Sequence, residues 1–117
     1  MTFKLDWRGK EVIKKQQKAA EQGLRDAAEH IGEQANRTAP IDEGTLRRSM
    51  GTDFDPDRLM SVVFYDVPYV ERLHEASPGE FRFSDPNARV KWLELTLQER
   101  QKAIKDYLAD ALREGLR

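Results

Sequence analysis

An α+β domain, two long helices packed on a small antiparallel sheet, is the architecture that the sequence predicts. Three observations lead there. Apolar residues recur at helical spacing in two stretches, one toward each end of the chain. Between them lies a run rich in β-branched and aromatic residues, Leu59-Met60-Ser61-Val62-Val63-Phe64-Tyr65. A turn-forming cluster, Asp55-Pro56-Asp57, precedes that run. At 117 residues the chain reads as a single domain, residues 1–117, near the lower end of what buries an independent core.

The first helix is expected over residues 9–38. Ile13, Ala20, Leu24, Ala27, Ile31 and Ala35 fall on one face of a 3.6-residue period. The stripe is narrow and alanine-rich, so it allows close approach but buries little area per residue. Gly23 and Gly32 each weaken a helix by roughly 1 kcal/mol relative to alanine, which leaves packing to hold it. Ala39-Pro40 ends it, because the residue before a proline is pushed out of the helical region. Asp42-Glu43-Gly44-Thr45 follows as a turn, with Gly44 free to take a positive φ.

Residues 46–66 are expected to form a β-hairpin. Its strands are Met50 to Phe54 and Leu59 to Asp66, about a loop of about four residues. Val67-Pro68 breaks the second strand, and Pro68 suits the first turn of a short connecting helix over 68–75. Residues 76–85 read as a loop in which Phe81-Arg82-Phe83 alternates like a short extra strand. Ser84 or Asp85 can cap a final helix over 86–114, with Pro86 in its first turn. Its stripe is Val90, Leu93, Leu97, Ile104, Leu108 and Ala111, widened by Leu112. Trp92 and Leu95 fall off the stripe; they either broaden the buried face or meet a neighbour. A three-stranded sheet with exposed edges is a poor monomer, and pairing across subunits would resolve that.

Composition narrows the function. Charged residues make up 35% of the chain and apolar ones 38%, a thin core under a heavily charged surface. The 20 basic and 21 acidic residues leave a net charge of −1, without the basic excess that general nucleic-acid binding needs. There is no cysteine, hence no disulfide framework, thiolate metal site or cysteine nucleophile. Residues 1–10 are polar and lack the apolar run of a signal peptide. No stretch approaches the ~20 apolar residues of a membrane span, so no membrane partner is expected.

Chemistry finds little support. Asp53, Asp55 and Asp57 suggest a calcium loop, but Arg58 stands where the loop needs glycine and Phe64 where it needs glutamate. His74 and Glu75, with Glu71 one turn earlier, match no metalloenzyme spacing. Ser49 lacks a nucleophile-elbow context, and Gly44 and Gly51 are isolated rather than part of a phosphate loop. No catalytic residue, metal or cofactor is expected, and the chain is not expected to be an enzyme. Two small basic clusters, Lys14, Lys15 and Lys18 on the first helix and Arg47 with Arg48 after the turn, read as solvated faces or intersubunit ion pairs.

Three segments carry a resemblance. Ala39-Pro40-Ile41-Asp42-Glu43-Gly44-Thr45-Leu46-Arg47-Arg48-Ser49 is similar to an A-P-hydrophobic-D-T-G-x-L-R-x-S signature. Tyr69-Val70-Glu71-Arg72-Leu73-His74-Glu75 is similar to a Y-A-x-x-x-H-E segment, and Asn87-Ala88-Arg89-Val90-Lys91-Trp92-Leu93-Glu94 to a G-Q-A-K-aromatic-L-E start of a last helix. In that order they resemble the gene-product-ten-like minor capsid, neck and tail-completion proteins of lambdoid tailed phages. Glu43 departs from the usual threonine, and Asn87 to Lys91 only approximates the glycine-containing segment.

The resemblance implies a structural virion protein assembled in the host bacterial cytoplasm. It would act as a ring-forming subunit at the head-to-tail junction, able to be monomeric in isolation. Its partners would be copies of itself and other neck, connector or tail proteins, with DNA only as passing cargo. The residues carried over are Pro40, Gly44, Leu46, Arg47, Arg48, Ser49, Tyr69, His74, Glu75, Lys91, Trp92 and Leu93. Read physically, Pro40 stops a helix, Gly44 reverses the chain, Leu46 pins the reversal and Tyr69, His74 and Glu75 form a polar latch. The competing expectation is a small cytoplasmic nucleic-acid-binding or regulatory module that uses Lys14, Lys15, Lys18, Arg47 and Arg48.

Overall fold

The computed structural model describes residues 1–6, 14–40, 44–77, 79, 83 and 85–115, with the backbone alone at 6, 14 and 15. The chain runs β1 (Thr2–Asp6), α1 (Lys14–Asn36), α2 (Thr45–Arg48), β2 (Met50–Asp55), β3 (Met60–Tyr65), α3 (Val70–His74), α4 (Trp92–Glu99) and α5 (Gln101–Gly115). It is an α+β fold. A three-stranded antiparallel sheet, ordered β1-β3-β2, lies under the long helix α1, and α4–α5 packs beside α1.

The hairpin follows from local chemistry. Asp55 pairs with Met60 at the end of the ladder, which leaves a four-residue loop, 56–59. Asp55 Oδ1 accepts from the backbone N–H of Asp57 at 3.0 Å and of Arg58 at 3.3 Å. Leu59 closes the loop with φ of 49°. Period-two alternation then sends Ser61, Val63 and Tyr65 of β3 toward α1, all buried. Their cross-strand partners Phe54, Thr52 and Met50 share that face. Met60, Val62 and Phe64 take the other face, where the Phe64 ring lies across the space a side chain at Gly51 would fill.

The third strand is the N-terminal segment. Thr2 to Asp6 pairs with Phe64 to Met60, placing Phe3 and Leu5 on the α1 side opposite Val63 and Ser61. The expected strand at Phe81-Arg82-Phe83 lies largely outside the described residues; Phe83 itself belongs to no strand.

The expected first helix, 9–38, is described from Lys14 and stops at Asn36, two residues early. Its last turn tightens, with the N–H of Arg37 on Gln34 O and that of Thr38 on Ala35 O, before Pro40. Leu24, Ala27, Ala28, Ile31 and Ala35 form the buried stripe. The short connecting helix is Val70–His74 rather than 68–75.

The single last helix expected over 86–114 is corrected twice. Residues 86–91 are not helical, because long-range partners draw their N–H groups away: Arg89 donates to Thr38 O at 2.9 Å and Lys91 to His74 O at 2.7 Å. Asp85 caps a turn instead of a helix, its Oδ1 accepting from Asn87 N–H at 2.9 Å. The helix then breaks at Arg100 (φ −108°, ψ 20°). Thr96 Oγ1 bonds back to Trp92 O at 2.6 Å, an arrangement that bends helices. The side-chain amide of Gln101 takes Leu97 O, the carbonyl that a continuous helix would give to Gln101 N–H.

Candidate functional site

The first motif builds a reversal around one arginine. Gly44, with φ of 76°, starts the turn of α2, and Leu46 drops into the core with no exposed surface. Arg47 then folds its guanidinium back over the end of α1. Its Nε and Nη2 donate to Ala39 O at 3.1 and 2.7 Å, and Nη2 also meets Asp85 Oδ2 at 3.0 Å. Pro40 is buried beside this contact. Two causes hold the Asp85 carboxyl below its usual range: first the Asn87 N–H, then the Arg47 guanidinium. Ser49 Oγ donates to Leu46 O at 2.7 Å and accepts from Asp66 N–H at 3.2 Å, joining the reversal to the end of β3.

The second and third motifs meet at His74. Its ring is fully buried, 4.9 Å from the Trp92 ring and 5.6 Å from Phe3. Nε2 accepts from Glu94 N–H at 3.4 Å, which places the proton on Nδ1, 2.7 Å from Glu75 Oε1. The imidazole therefore fastens the start of α4, whose first residues Trp92 and Leu93 are fully buried. Trp92, off the expected stripe, is the largest fully buried side chain of the described structure and broadens the buried face. Tyr69 contributes its carbonyl to the first turn of α3, accepting from Leu73 N–H at 3.3 Å. The expected latch is thus made by His74 and Glu75, with Tyr69 in a backbone role.

One partly buried path joins all three motifs. Asn36 Nδ2 donates to Arg47 O at 3.2 Å, and Tyr65 Oη donates to Asn36 Oδ1 at 2.7 Å. The Tyr65 ring meets the Trp92 ring edge-on at 5.7 Å, and Trp92 meets His74. Burial pushes the Tyr65 phenol well above its ordinary range, and nearby Trp92 and Arg47 offset only part of that. Sequence reasoning missed Asn36 and Tyr65, the two residues that connect the motifs. No motif spacing marks a helix-end asparagine as the acceptor for a tyrosine 29 residues on.

Most of the motif residues are therefore internal, and the outward surfaces lie elsewhere. Arg48, Glu75 and Lys91 are the exposed members of the set, and Lys91 holds φ of 52° just before α4. Among the described residues, neither β1 nor β2 has a strand on its outer edge. α5 is amphipathic, yet none of its residues is fully buried: Ile104, Leu108, Ala111 and Leu112 stay half-covered. Between α1 and α5 runs an open groove of about 560 Å³, floored by Ala19, Ala111 and Tyr107.

The basic clusters do not form one surface. Lys18 stands exposed beside the α1–α5 groove, whereas Arg47 is committed at the other end of α1. At 1.5 Å per residue the helix separates them by roughly 27 Å; the side chains of Lys14 and Lys15 lie outside the described residues. Asp55 is used by its hairpin turn, and among the described residues no three metal-ligating side chains come together. No described helix is long and apolar enough to cross a membrane. No family model, curated protein or solved structure matches the chain.

Proposed function

We propose that the chain is a structural subunit of a tailed-phage virion, of the neck, head–tail connector or tail-completion type, acting by ring assembly and without chemistry of its own. The observation that carries this reading is the convergence of the three motif segments. Segments distant in sequence and resembling one family's signatures meet in a single, partly buried network through Arg47, Asn36, Tyr65, Trp92 and His74. Signatures that keep one fold together in this way are what a diverged member of a structural family would retain.

The mechanism is geometric. A half-covered α5 and two open sheet edges supply contact surfaces that differ from one another, so a copy docks through unlike patches. Repetition of such a heterologous contact closes a ring when the rotation per subunit divides a full turn. The virion is then the place where the chain works, with other neck, connector or tail proteins above and below it.

Sedimentation of the purified protein, alone and mixed with neighbouring neck and tail proteins, tests the proposal. The expected result is a closed oligomer or a stoichiometric complex with at least one such neighbour. A chain that stays monomeric with every one of them, while binding duplex DNA tightly, overturns it in favour of the nucleic-acid-binding module.

A further inference from the structure

Where the end of α1 meets α4, a cleft of about 180 Å³ is lined by Gln34, Arg37, Thr38, Arg89, Glu99 and Arg100. Three guanidinium groups face it, against one carboxylate. Glu99 takes Nη1 and Nη2 of Arg89 at 3.0 and 2.6 Å, the fork-to-fork geometry of a bidentate pair. Hydrogen bonding from Arg89, and then the charges of Arg89 and Arg100, hold the Glu99 carboxyl below its usual range.

The remaining donors are not satisfied by charge. Arg89 Nε–H is shielded from solvent and has no acceptor among the described residues. Arg100 gives Nη2 to the neutral amide oxygen of Gln34 at 2.9 Å. Arg37 is exposed, and its side chain makes no hydrogen bond or ion pair among the described residues. Arg37 and Arg100 thus line the cleft with two exposed guanidinium groups that have no carboxylate partner among the described residues, and charge-assisted hydrogen bonds to an added anion are the strong ones.

We propose that this cleft is a carboxylate-binding site, in which an external carboxylate bridges Arg37 and Arg100 beside the internal Arg89–Glu99 pair. The chemistry favours a carboxylate over a nucleic-acid backbone. Glu99 on Arg89 shows that a planar carboxylate fits a guanidinium group in this cleft. The cleft has room for one small anionic group rather than a track of phosphates, and a net charge of −1 provides no field to gather a polyanion. The carboxylate can come from an acidic side chain of a partner protein or from a free dicarboxylate. This goes beyond the virion reading and does not depend on it.

The test is a titration of the full chain, followed by nuclear magnetic resonance of the arginine Nε–H signals. Three probes are added separately: glutarate, a glutamate-rich peptide and a random-sequence DNA duplex. Saturable shifts at Arg37, Arg89 and Arg100 with either carboxylate support the site; saturation by the peptide alone assigns it to a protein partner, and saturation by glutarate to any carboxylate.

Arg37→Gln, at an exposed position, is expected to weaken that binding about tenfold, the worth of one charge-assisted hydrogen bond. Glu99→Gln is expected to strengthen it, because the one negative charge that lines the cleft is removed. No saturable shift with either carboxylate, an affinity unchanged in Arg37→Gln, or shifts with the duplex alone would each overturn the assignment.

Discussion

The Tyr65 hydroxyl donates to the side-chain oxygen of Asn36 at 2.7 Å, and the same asparagine donates to the backbone carbonyl of Arg47. This pair ties the centre of the sheet to the end of α1 and, through it, to the reversal that follows. The tyrosine is buried and the asparagine half-buried, so the bond is only partly open to replacement by water. Tyr65→Phe is expected to lower unfolding stability by about 1–2 kcal/mol. A urea unfolding midpoint equal to that of the unmodified chain would show that the bond contributes nothing.

Asp85 and Glu99 set the acid limb of stability. Both carboxyls lie below their ordinary range when folded, Asp85 through the Asn87 N–H and Arg47, Glu99 through Arg89. A depressed folded value contributes stability above the unfolded carboxylate pKa of about 4, and that stability is lost as pH falls through the folded value. Urea midpoints measured from pH 7 down to pH 3 are expected to fall below about pH 4. Asp85→Asn and Glu99→Gln should each flatten that fall; a double variant with an undiminished acid limb would refute the assignment.

Gly23 marks a close approach of α1 and α5. A Cβ there would lie 3.0 Å from Ala111 Cβ, 3.2 Å from Leu108 Cα and 3.2 Å from Tyr107 O, two of them backbone atoms that cannot turn aside. Gly23→Ala is therefore expected to forfeit the helix-propensity gain of about 1 kcal/mol that alanine normally brings. Gly23→Val should cost about 1–3 kcal/mol by forcing the helices apart. Thermal denaturation followed by circular dichroism reads both, and a stabilised Gly23→Ala would contradict the tight contact.

Lys91 sits in the left-handed region, with φ of 52°, because its N–H is held by His74 O while its carbonyl opens α4 to Leu95 N–H. Its exposed side chain makes no hydrogen bond or ion pair among the described residues, so little is lost when it is removed. Lys91→Gly should raise stability by about 0.5–1 kcal/mol, the net of relieved strain and glycine's greater unfolded freedom. Lys91→Val, branched next to the backbone, should move the midpoint the other way.

Local chemistry made the hairpin legible in the sequence: the Asp55-Pro56-Asp57 turn and the apolar run after it specify a loop of about four residues, although Leu59, expected in the second strand, closes the loop and Asp55, expected in the turn, ends the first strand. The buried stripe of α1 was legible for the same reason, since periodicity is a property of neighbours. Segments decided by distant partners were not. Pro86 suits a helix start and a turn equally well, and only Thr38 O and His74 O, from elsewhere in the chain, choose the turn. Thr2-Phe3-Lys4-Leu5-Asp6 does alternate, but five residues of alternation carry weight only once β3 is present to pair with them. For the motifs, the signatures hide the role of their residues, because a half-buried arginine clamp and an exposed contact look alike in one dimension.

The N-terminal strand has a kinetic consequence. β2 and β3 can zip together as soon as both are made, whereas β1 closes against a partner some sixty residues away, from Thr2 to Phe64, and so joins late. Until it does, β3 stands at an edge, and β3 holds the chain's richest β-forming run, Met60-Ser61-Val62-Val63-Phe64-Tyr65. Such a segment with an open flank is a template for pairing with other copies during folding. β1 is thus a guard as well as a strand: a chain without its first six residues should lose solubility before it loses its helices.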